Sequence, residues 1–276
     1  MKCDIISPSV FLTKEKENLA HSNCKQIGLD SYCNRIPSKF YNKWAGLPIA
    51  RIIQLTDSFK SKSELIWNAK GESGLIQILD GLKFSTLKKN KYFLGSGDFT
   101  LLFNELLLKK KGILLCAPNA GMKIDDASLN LIDSILKNQS IQYTYQSFGP
   151  KPKNTNLIAK GGSLISLTWA LGSSSSIDFE NAFVYFDRLG KNEFSTFNNL
   201  IQLKNKGNFN PEVLIIRKIS SKKKIVLKKM LLELFPHTYV IFNLKHESRC
   251  KRISFPLGVP IKLDLSSNTL KFNMKN

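Results

Sequence analysis

The feature that most constrains the fold of this chain is the regular alternation of strand-like and helix-like segments in its first half. Short apolar runs of strand length, CDIIS, LIWN, KYFL and GILLC, are separated by segments whose apolar residues recur at helical spacing. Parallel strands need such crossover connections, and the helices then cover the faces of the sheet. We therefore predict an α/β fold, with an N-terminal parallel sheet flanked by helices in a flavodoxin-like arrangement.

The helical segments of this half are PIARIIQLTDSF, LIQILDGL, FTLLFNELLLKKK and DDASLNLIDSILKN. In an α/β sheet, the loops at the carboxyl ends of the strands hold the ligand site. Two such loops stand out, at Lys70–Gly74 after LIWN and at Gly95–Asp98 after KYFL. We expect the functional residues of the N-terminal half to lie in these two loops.

A polar, proline-containing segment, QSFGPKPKNTN, interrupts the pattern between residues 146 and 156 and indicates a linker. Beyond it, strand patterns such as AFVYFDRLG and EVLII are mixed with helical ones, and the end of the chain is rich in strands. We predict an N-terminal α/β domain over residues 1–145, a linker over 146–156 and a C-terminal mixed α/β domain, rich in strands, over 157–276.

The formal net charge of +20 raises the question of a nucleic-acid partner. Lysines occur in nearly every segment and are densest in the cluster from Arg217 to Lys229, but no nucleic-acid motif with interleaved aromatic residues accompanies them. We interpret the charge as solvated surface and predict no nucleic-acid partner. Binding of a nucleic acid or an anionic surface by this cluster is the less favoured alternative. The longest apolar runs are far shorter than a bilayer span, so no membrane partner is predicted either.

Cysteine usage indicates a reducing compartment. The five cysteines are widely scattered and form no Cys-x-x-Cys pair, so the sequence predicts neither a disulfide framework nor a zinc site. The N-terminal stretch is too soon interrupted by serine, proline and lysine to be a secretion signal. We expect a cytoplasmic protein without a metal or other cofactor.

The stretch LGSGDFT forms the most informative turn of the sequence. Many hydrolases hold their nucleophile on a sharp turn between a strand and a helix. Here the turn offers Ser96, which has a hydroxyl group, and Gly97, which has no side chain. The alternative roles are structural, with Ser96 as a turn or helix-capping residue and Asp98 as a cap on the helix that follows.

Seven short motifs, each weak alone, occur in one order along almost the whole chain. They are Ser7-Pro8-Ser9, IWNAKGESG, GSGDFT, CAPNAG, Gly161-Gly162-Ser163-Leu164, YFDRLG and KHESRCKRISFPLG. Together they resemble the LD-carboxypeptidase family of serine peptidases, which includes the muramoyltetrapeptide carboxypeptidases and the related microcin C immunity peptidases. The common order and spacing make the resemblance specific.

This resemblance implies a cytoplasmic enzyme that removes the terminal D-alanine from a murein tetrapeptide and takes part in peptidoglycan recycling. Family members use a Ser-Glu-His triad and no metal. The serine attacks the carbonyl carbon, the histidine takes its proton, the carboxylate orients the imidazole and backbone N–H groups bind the oxyanion. The implied ligand is a murein-derived or other small peptide, and the resemblance also implies that the chain can form a homodimer.

The resemblance assigns the roles of the family's site residues to individual positions of this sequence. The base corresponds to His246, the orienting carboxylate to Asp187 and the nucleophile to Gly97. Ser96, at the neighbouring position, is a candidate substitute nucleophile. The residues implied for the oxyanion or substrate site are Gly71, Asp98, Gly162 and Ser163.

Several of these positions depart from the family pattern. Asp187 replaces a glutamate and is one methylene shorter, a misplacement of roughly 1.5 Å of the size that can cost about 100-fold in rate. Lys70 replaces an arginine, Glu72 a glycine and Ser163 an asparagine. A glycine at position 97 cannot attack a carbonyl carbon.

Two interpretations follow for function. In the first, the chain is an LD-carboxypeptidase-like hydrolase in which Ser96, Asp187 and His246 form the triad. In the second, it is a pseudoenzyme or peptide-binding protein that keeps the fold without the reaction. We favour impaired catalysis, because the departures at the site all weaken the reaction.

Overall fold

The computed structural model describes residues 1–34, 36, 39–40, 43–88, 90–206, 209–219 and 224–274. The elements of the first half, in chain order, are β1 (Lys2–Ile6), α1 (Lys14–Gln26), β2 (Asp30–Cys33), β3 (Lys39–Phe40), β4 (Trp44–Ala45), α2 (Pro48–Lys60), β5 (Leu65–Asn68), β6 (Tyr92–Gly95), α3 (Phe99–Leu108), β7 (Ile113–Cys116) and α4 (Asp126–Leu136).

The elements of the second half are β8 (Ile141–Phe148), β9 (Asn156–Ser163), α5 (Leu164–Ala170), β10 (Phe183–Arg188), α6 (Glu193–Lys206), β11 (Val213–Ile216), α7 (Lys224–Leu234), β12 (Tyr239–Lys245), β13 (Phe255–Leu257), β14 (Pro260–Asp264) and β15 (Thr269–Phe272).

The first sheet has six strands in the order β13-β7-β6-β5-β1-β2. The five strands from the first half are parallel to one another, as the alternating pattern predicts. All four residues of β5 are buried, because a parallel strand covered on both faces exposes neither of them. The sixth strand, β13, comes from the end of the chain and runs antiparallel to β7. The carboxyl ends of β5, β6 and β7 therefore meet at one edge of the sheet.

The second half forms a closed barrel with the strand order β10-β11-β12-β8-β15-β14-β9. Strands β9 to β12 are parallel, whereas β8, β14 and β15 pair antiparallel with their neighbours. The prediction of a mixed, strand-rich second half is confirmed, although the sequence did not indicate that its strands close into a barrel.

Two local predictions differ from the structure. The segment LIQILDGL is not an α-helix but two short 3-10 turns, Leu75–Gln77 and Leu79–Gly81. Residues 146–148 of the predicted linker belong to β8, so the connection between β8 and β9 covers only residues 149–155. Since β8 begins at Ile141 and is part of the barrel, the barrel starts before the predicted boundary at residue 145.

The hydrophobic core joins the sheet and the barrel. One cluster of buried side chains runs from the helices of the sheet into the barrel interior, where Tyr185 stacks on Phe255 of β13 with ring centroids 4.2 Å apart. A second cluster lies between the outer face of the barrel and α5, α6 and α7. Alternate residues of β10 divide between the two, because successive side chains of a strand point to opposite faces. In the described part of the chain, no helix combines the length and apolar character required to cross a bilayer.

Candidate functional site

The turn between β6 and α3 has the backbone geometry of a nucleophile turn. Gly97 lies at its tip with φ of +72°, in the left-handed region that strains residues with a side chain. A Cβ atom built there would lie 3.6 Å from the backbone oxygen of Gly71, which is an ordinary van der Waals contact. The site therefore has room for a side chain at position 97 but holds only a hydrogen atom.

Ser96 lies beside this position and lines a small cavity of about 40 Å³, which it shares with Cys116, Asp187 and three arginines. The backbone N–H of Ser96 donates a hydrogen bond of 2.9 Å to Oδ1 of Asn119. Asn119 follows β7, so the ends of two neighbouring strands hold the turn in place. The cavity has room for a few water molecules.

Asp187, at the end of β10, brings a carboxylate from the barrel to the same cavity. Burial raises the pKa of Asp187, while the charges of Arg217 and Arg188 and the backbone N–H of Gly97 lower it to a smaller extent. Its Oδ1 atom is fully shielded and has no hydrogen-bond partner among the described residues. A buried carboxylate oxygen without a partner is costly, so the geometry leaves this atom open to a donor such as an imidazole or a ligand.

His246 follows β12 and has other partners. Its Nδ1 atom lies 2.8 Å from the hydroxyl oxygen of Ser248, and its ring meets Tyr143 edge to face at 5.8 Å between centroids. Burial lowers the pKa of His246 more than Glu247 raises it, which favours the neutral imidazole that a general base requires. No hydrogen bond joins His246 to Asp187 or Ser96 in the described part of the chain. The structure thus brings Ser96, Gly97 and Asp187 together, and a complete triad with His246 stays a prediction.

The loop after β5, residues 70–74, is called the glycine loop here, and it packs tightly against the turn. A Cβ atom on Gly71 would come within 2.6 Å of the backbone oxygen of Ser96 and 2.9 Å of Oδ1 of Asp98, so only glycine fits there. In the same loop, Glu72 lies 3.2 Å from Lys70. The two residues of this loop that depart from the family pattern therefore form an ion pair with each other.

Asp98 fastens this loop to the turn. It is 1% exposed, and its Oδ2 atom accepts hydrogen bonds from the hydroxyl of Ser9 at 2.6 Å and from the backbone N–H groups of Gly74 and Leu75 at 2.9 and 3.0 Å. Burial raises the pKa of Asp98, and these hydrogen bonds lower it in part. Asp98 occupies the N-cap position of α3, but its side chain makes no capping bond to the helix and holds the glycine loop instead.

Gly162 and Ser163 lie where the barrel meets α3. The backbone N–H of Ser163 donates to the hydroxyl oxygen of Thr100 at 2.9 Å, and Gly162, with φ of +139°, passes too close to Thr100 for any side chain. From the following helix, the hydroxyl of Ser166 donates to the backbone oxygen of Gly97 at 3.2 Å. These contacts support the turn from the side of the barrel.

The sequence interpretation missed Arg51, a fully buried residue of α2. Its guanidinium donates to the backbone oxygen of Gly74 at 3.0 Å and to Oε1 of Gln77 at 2.7 Å, so it supports the glycine loop from the side of α2. A signal was present, because Arg51 stands at helical spacing from Leu55 and Phe59, which are both buried.

Arg217, which the sequence interpretation assigned to a basic surface cluster, belongs to the site. Its Nε atom donates to the backbone oxygen of Asp187 at 3.1 Å. Residues 220–223 of that cluster lie outside the described residues. A cleft of about 910 Å³ adjoins the small cavity and shares Arg217, Arg252 and Ile253 with it. Among the described residues, no group of three or more His, Cys, Asp or Glu is placed to hold a metal ion.

Solved structures with this fold are known. An MccF-like protein from Bacillus anthracis str. Ames is 16% identical, with a TM-score of 0.83 over 98% of this chain and 96% of that chain. A muramoyltetrapeptide carboxypeptidase from Oxalobacter formigenes is 17% identical, with a TM-score of 0.80 over 99% and 98%. An MccF-like protein from Streptococcus pneumoniae, solved in complex with AMP, is 18% identical, with a TM-score of 0.81 over 100% and 99%.

At these identities the likeness shows a common fold. A comparison with curated proteins finds no match. The sequence model of the LD-carboxypeptidase N-terminal domain matches residues 3–145, which is more than half of the chain. The chain therefore belongs to the LD-carboxypeptidase family.

Proposed function

We propose that this protein is an LD-carboxypeptidase-like serine peptidase homologue whose hydrolytic activity is impaired or lost, and that it binds a small peptide such as a murein-derived one. The observation that carries the proposal is Gly97, which has the left-handed φ of a nucleophile turn and free space for a Cβ atom, but no hydroxyl. The sharp strand-to-helix turn supports this assignment of the nucleophile position, at which the chain has no attacking atom.

The remaining groups support the same proposal. In the family reaction, a hydroxyl at position 97 attacks the carbonyl carbon, His246 takes its proton and the carboxylate at position 187 orients the imidazole. Here burial raises the pKa of Asp187, and Nδ1 of His246 lies against Ser248. The carboxylate is thus less readily ionised, and the imidazole is not paired with it, whereas an ionised carboxylate paired with a neutral imidazole is what assists a nucleophile.

One observation favours the alternative that the chain is still a hydrolase. Ser96 lines the same cavity as Asp187, so a hydroxyl lies within the site although it is displaced by one residue. Ser96 could attack only if His246 left Ser248 and approached the turn. We regard the inactive form as the better supported, because this route requires both a remodelled turn and a new partner for the histidine.

The proposal also includes a peptide ligand, a cytoplasmic location and a homodimeric assembly, because membership of the family implies them. Relatives with this fold include a muramoyltetrapeptide carboxypeptidase and an MccF-like protein solved with AMP.

We also propose that the N-terminal sheet is flavodoxin-like. If its five parallel strands are numbered 1 to 5 in chain order, they lie in the spatial order 2-1-3-4-5, which is that of flavodoxin.

The decisive experiment restores the hydroxyl. Gly97→Ser should gain D-alanine release from a murein tetrapeptide and labelling by a fluorophosphonate probe, whereas the wild-type protein should show neither. Gly97→Ala is the matched control, since it introduces the same Cβ atom and backbone strain without an oxygen. Both variants are first checked for folding by circular dichroism.

Two outcomes would change the proposal. Labelling of the wild-type protein at Ser96, abolished by Ser96→Ala, would replace the inactive form with the hydrolase. A folded Gly97→Ser protein without activity or labelling would mean that the loss extends to Asp187, His246 or the glycine loop, and the repair should then include Asp187→Glu.

A further inference from the structure

We propose that the large cleft beside the site binds a small ligand that carries two or more clustered negative charges, as phosphates or carboxylates do. The inference concerns binding and holds whether or not the site catalyses a reaction. It rests on the position of the cleft, on its charge and on its size.

The cleft lies where four segments meet. The loop before α4, the end of β11, the end of β12 and the segment before β13 form its walls, and its volume is about 910 Å³. It shares Arg217, Arg252 and Ile253 with the small cavity at Ser96 and Asp187. A ligand in the cleft can therefore extend to the turn at Gly97.

The side chains that line the cleft are strongly unbalanced in charge. Six of them are cationic, and one is acidic. The cations are Lys123, Arg217, Lys218, Lys245, Lys251 and Arg252, and the acid is Asp125. Among the described residues, no salt bridge of 4.0 Å or less pairs any of the six with a carboxylate.

Asp125 offsets only one of the six positive charges, and its oxygens already accept hydrogen bonds from neutral donors. It caps α4 by accepting hydrogen bonds from the backbone N–H and the hydroxyl of Ser128, at 3.2 and 2.7 Å. The backbone N–H of Lys251 also donates to it, at 3.4 Å. These hydrogen bonds lower the pKa of Asp125 against the effect of burial and hold its charge at the edge of the cleft.

A concave surface lined by one sign of charge focuses the field and attracts an ion of opposite sign. The two arginines are half-buried at the inner end, where the cleft meets the small cavity, while the four lysines are exposed. A guanidinium presents a planar fork of donors that fits a phosphate or carboxylate, whereas ammonium groups supply mobile charge. This arrangement of half-buried arginines and exposed lysines fits an anionic ligand whose most tightly bound charged group lies next to Arg217 and Arg252.

The size of the cleft favours a small ligand over a nucleic acid. Pockets for small molecules typically measure about 300–1,000 Å³, and this cleft lies within that range. A nucleic acid would instead be held by charge spread over an extended face.

The test measures binding of two inorganic or simple probes, pyrophosphate and citrate, by isothermal titration calorimetry. The double variant Lys245→Gln/Lys251→Gln removes two cations of the cleft. The control Lys262→Gln/Lys271→Gln removes two exposed lysines that face each other on β14 and β15 in the barrel, away from the cleft. Both doubles change the net charge equally.

We expect the wild-type protein to bind at least one probe, the cleft variant to bind it about tenfold more weakly, and the control to stay within about twofold of wild type. Preference for pyrophosphate over citrate would identify phosphate as the ligand chemistry, and the reverse would identify carboxylate. Absence of binding to both probes, or equal weakening in the two doubles, would overturn the inference. The Gly97→Ser experiment is read by activity, so the two proposals can fail separately.

Discussion

At the residue scale, the two buried aspartates near the turn each keep one shielded oxygen without a partner among the described residues, and they differ in their other contacts. Asp98 accepts three hydrogen bonds on one oxygen, which compensate part of the cost of burial. Asp187 has a shielded oxygen without a partner among the described residues, and the nearby Arg217 donates to its backbone rather than to its carboxylate. The carboxylate of Asp98 is therefore fixed through its Oδ2 atom, whereas that of Asp187 lines the cavity at Ser96.

The burial of Asp187 gives a prediction for Asp187→Asn. Because burial raises the folded-state pKa of Asp187, its contribution to stability is complete below the unfolded-state pKa of about 3.9 and is lost as pH rises through the folded-state value. The amide keeps the shape of the side chain and removes the buried charge. We expect the variant to have a larger free energy of unfolding than wild type at pH 7, and the difference to vanish at low pH.

Urea denaturation at several pH values between 3 and 8 measures this effect. The control is Asp57→Asn, on the exposed side of α2, which should leave the pH dependence as in wild type. Parallel pH profiles for wild type and Asp187→Asn would show that burial does not raise this pKa.

At the element scale, the glycine loop, the turn and α2 form one polar unit. Asp98 holds the loop from the turn, and Arg51 holds it from α2 through Gly74 and Gln77. The segment LIQILDGL forms its 3-10 turns between two fixed points, the carboxylate of Asp98, which holds the N–H groups of Gly74 and Leu75, and Ile52 of α2, against which Gly81 packs.

The polar unit predicts unequal costs for two truncations. Asp98→Ala leaves the N–H groups of Gly74 and Leu75 and the hydroxyl of Ser9 without their acceptor, and we expect a loss of about 2–4 kcal/mol in the free energy of unfolding. Ser9→Ala removes one of the three bonds and should cost about 1–2 kcal/mol.

Chemical denaturation gives these values, and amide hydrogen exchange shows where the loss occurs. Exchange at Gly74 and Leu75 should accelerate in Asp98→Ala and much less in Ser9→Ala. Equal costs for the two variants would contradict the role of Asp98 as the common acceptor.

The sequence predicted those features that depend on neighbouring residues. The strands of the first sheet, the helices with clear apolar periodicity and the strand-to-helix turn at Gly97 are local, and the structure has them. Barrel closure, the assignment of β8 to the barrel and the insertion of β13 beside β7 depend on pairing between distant segments, which periodicity does not encode. The sequence did not predict the basic cleft for the same reason, since its cations come from four separate segments.

At the scale of the whole molecule, the site exists because the sheet and the barrel share one core. Strand β13 belongs to the sheet, although the strands before and after it along the chain belong to the barrel. Its Phe255 is fully buried and stacks on Tyr185 of the barrel. Helix α3 is buried on most sides, since it packs against the sheet and also against α5 and β9. The distance between Gly97 and Asp187 is thus fixed by this shared core rather than by a flexible linker.

A shared core predicts that the sheet and the barrel unfold together. Phe255→Ala removes the ring that joins them and should lower the free energy of unfolding by about 3–5 kcal/mol, the usual cost of a large buried aromatic side chain. Phe194→Ala, at a position 81% exposed, is the control and should change it by less than about 0.5 kcal/mol. Urea transitions followed by tryptophan fluorescence in a Trp44→Phe/Trp169→Phe background, which leaves the buried Trp67 of the sheet, and by far-ultraviolet circular dichroism should coincide with and without each substitution. Separate transitions in the wild-type protein would mean that the sheet and the barrel are independent units, and the geometry of the site would then depend on contacts other than those of Phe255.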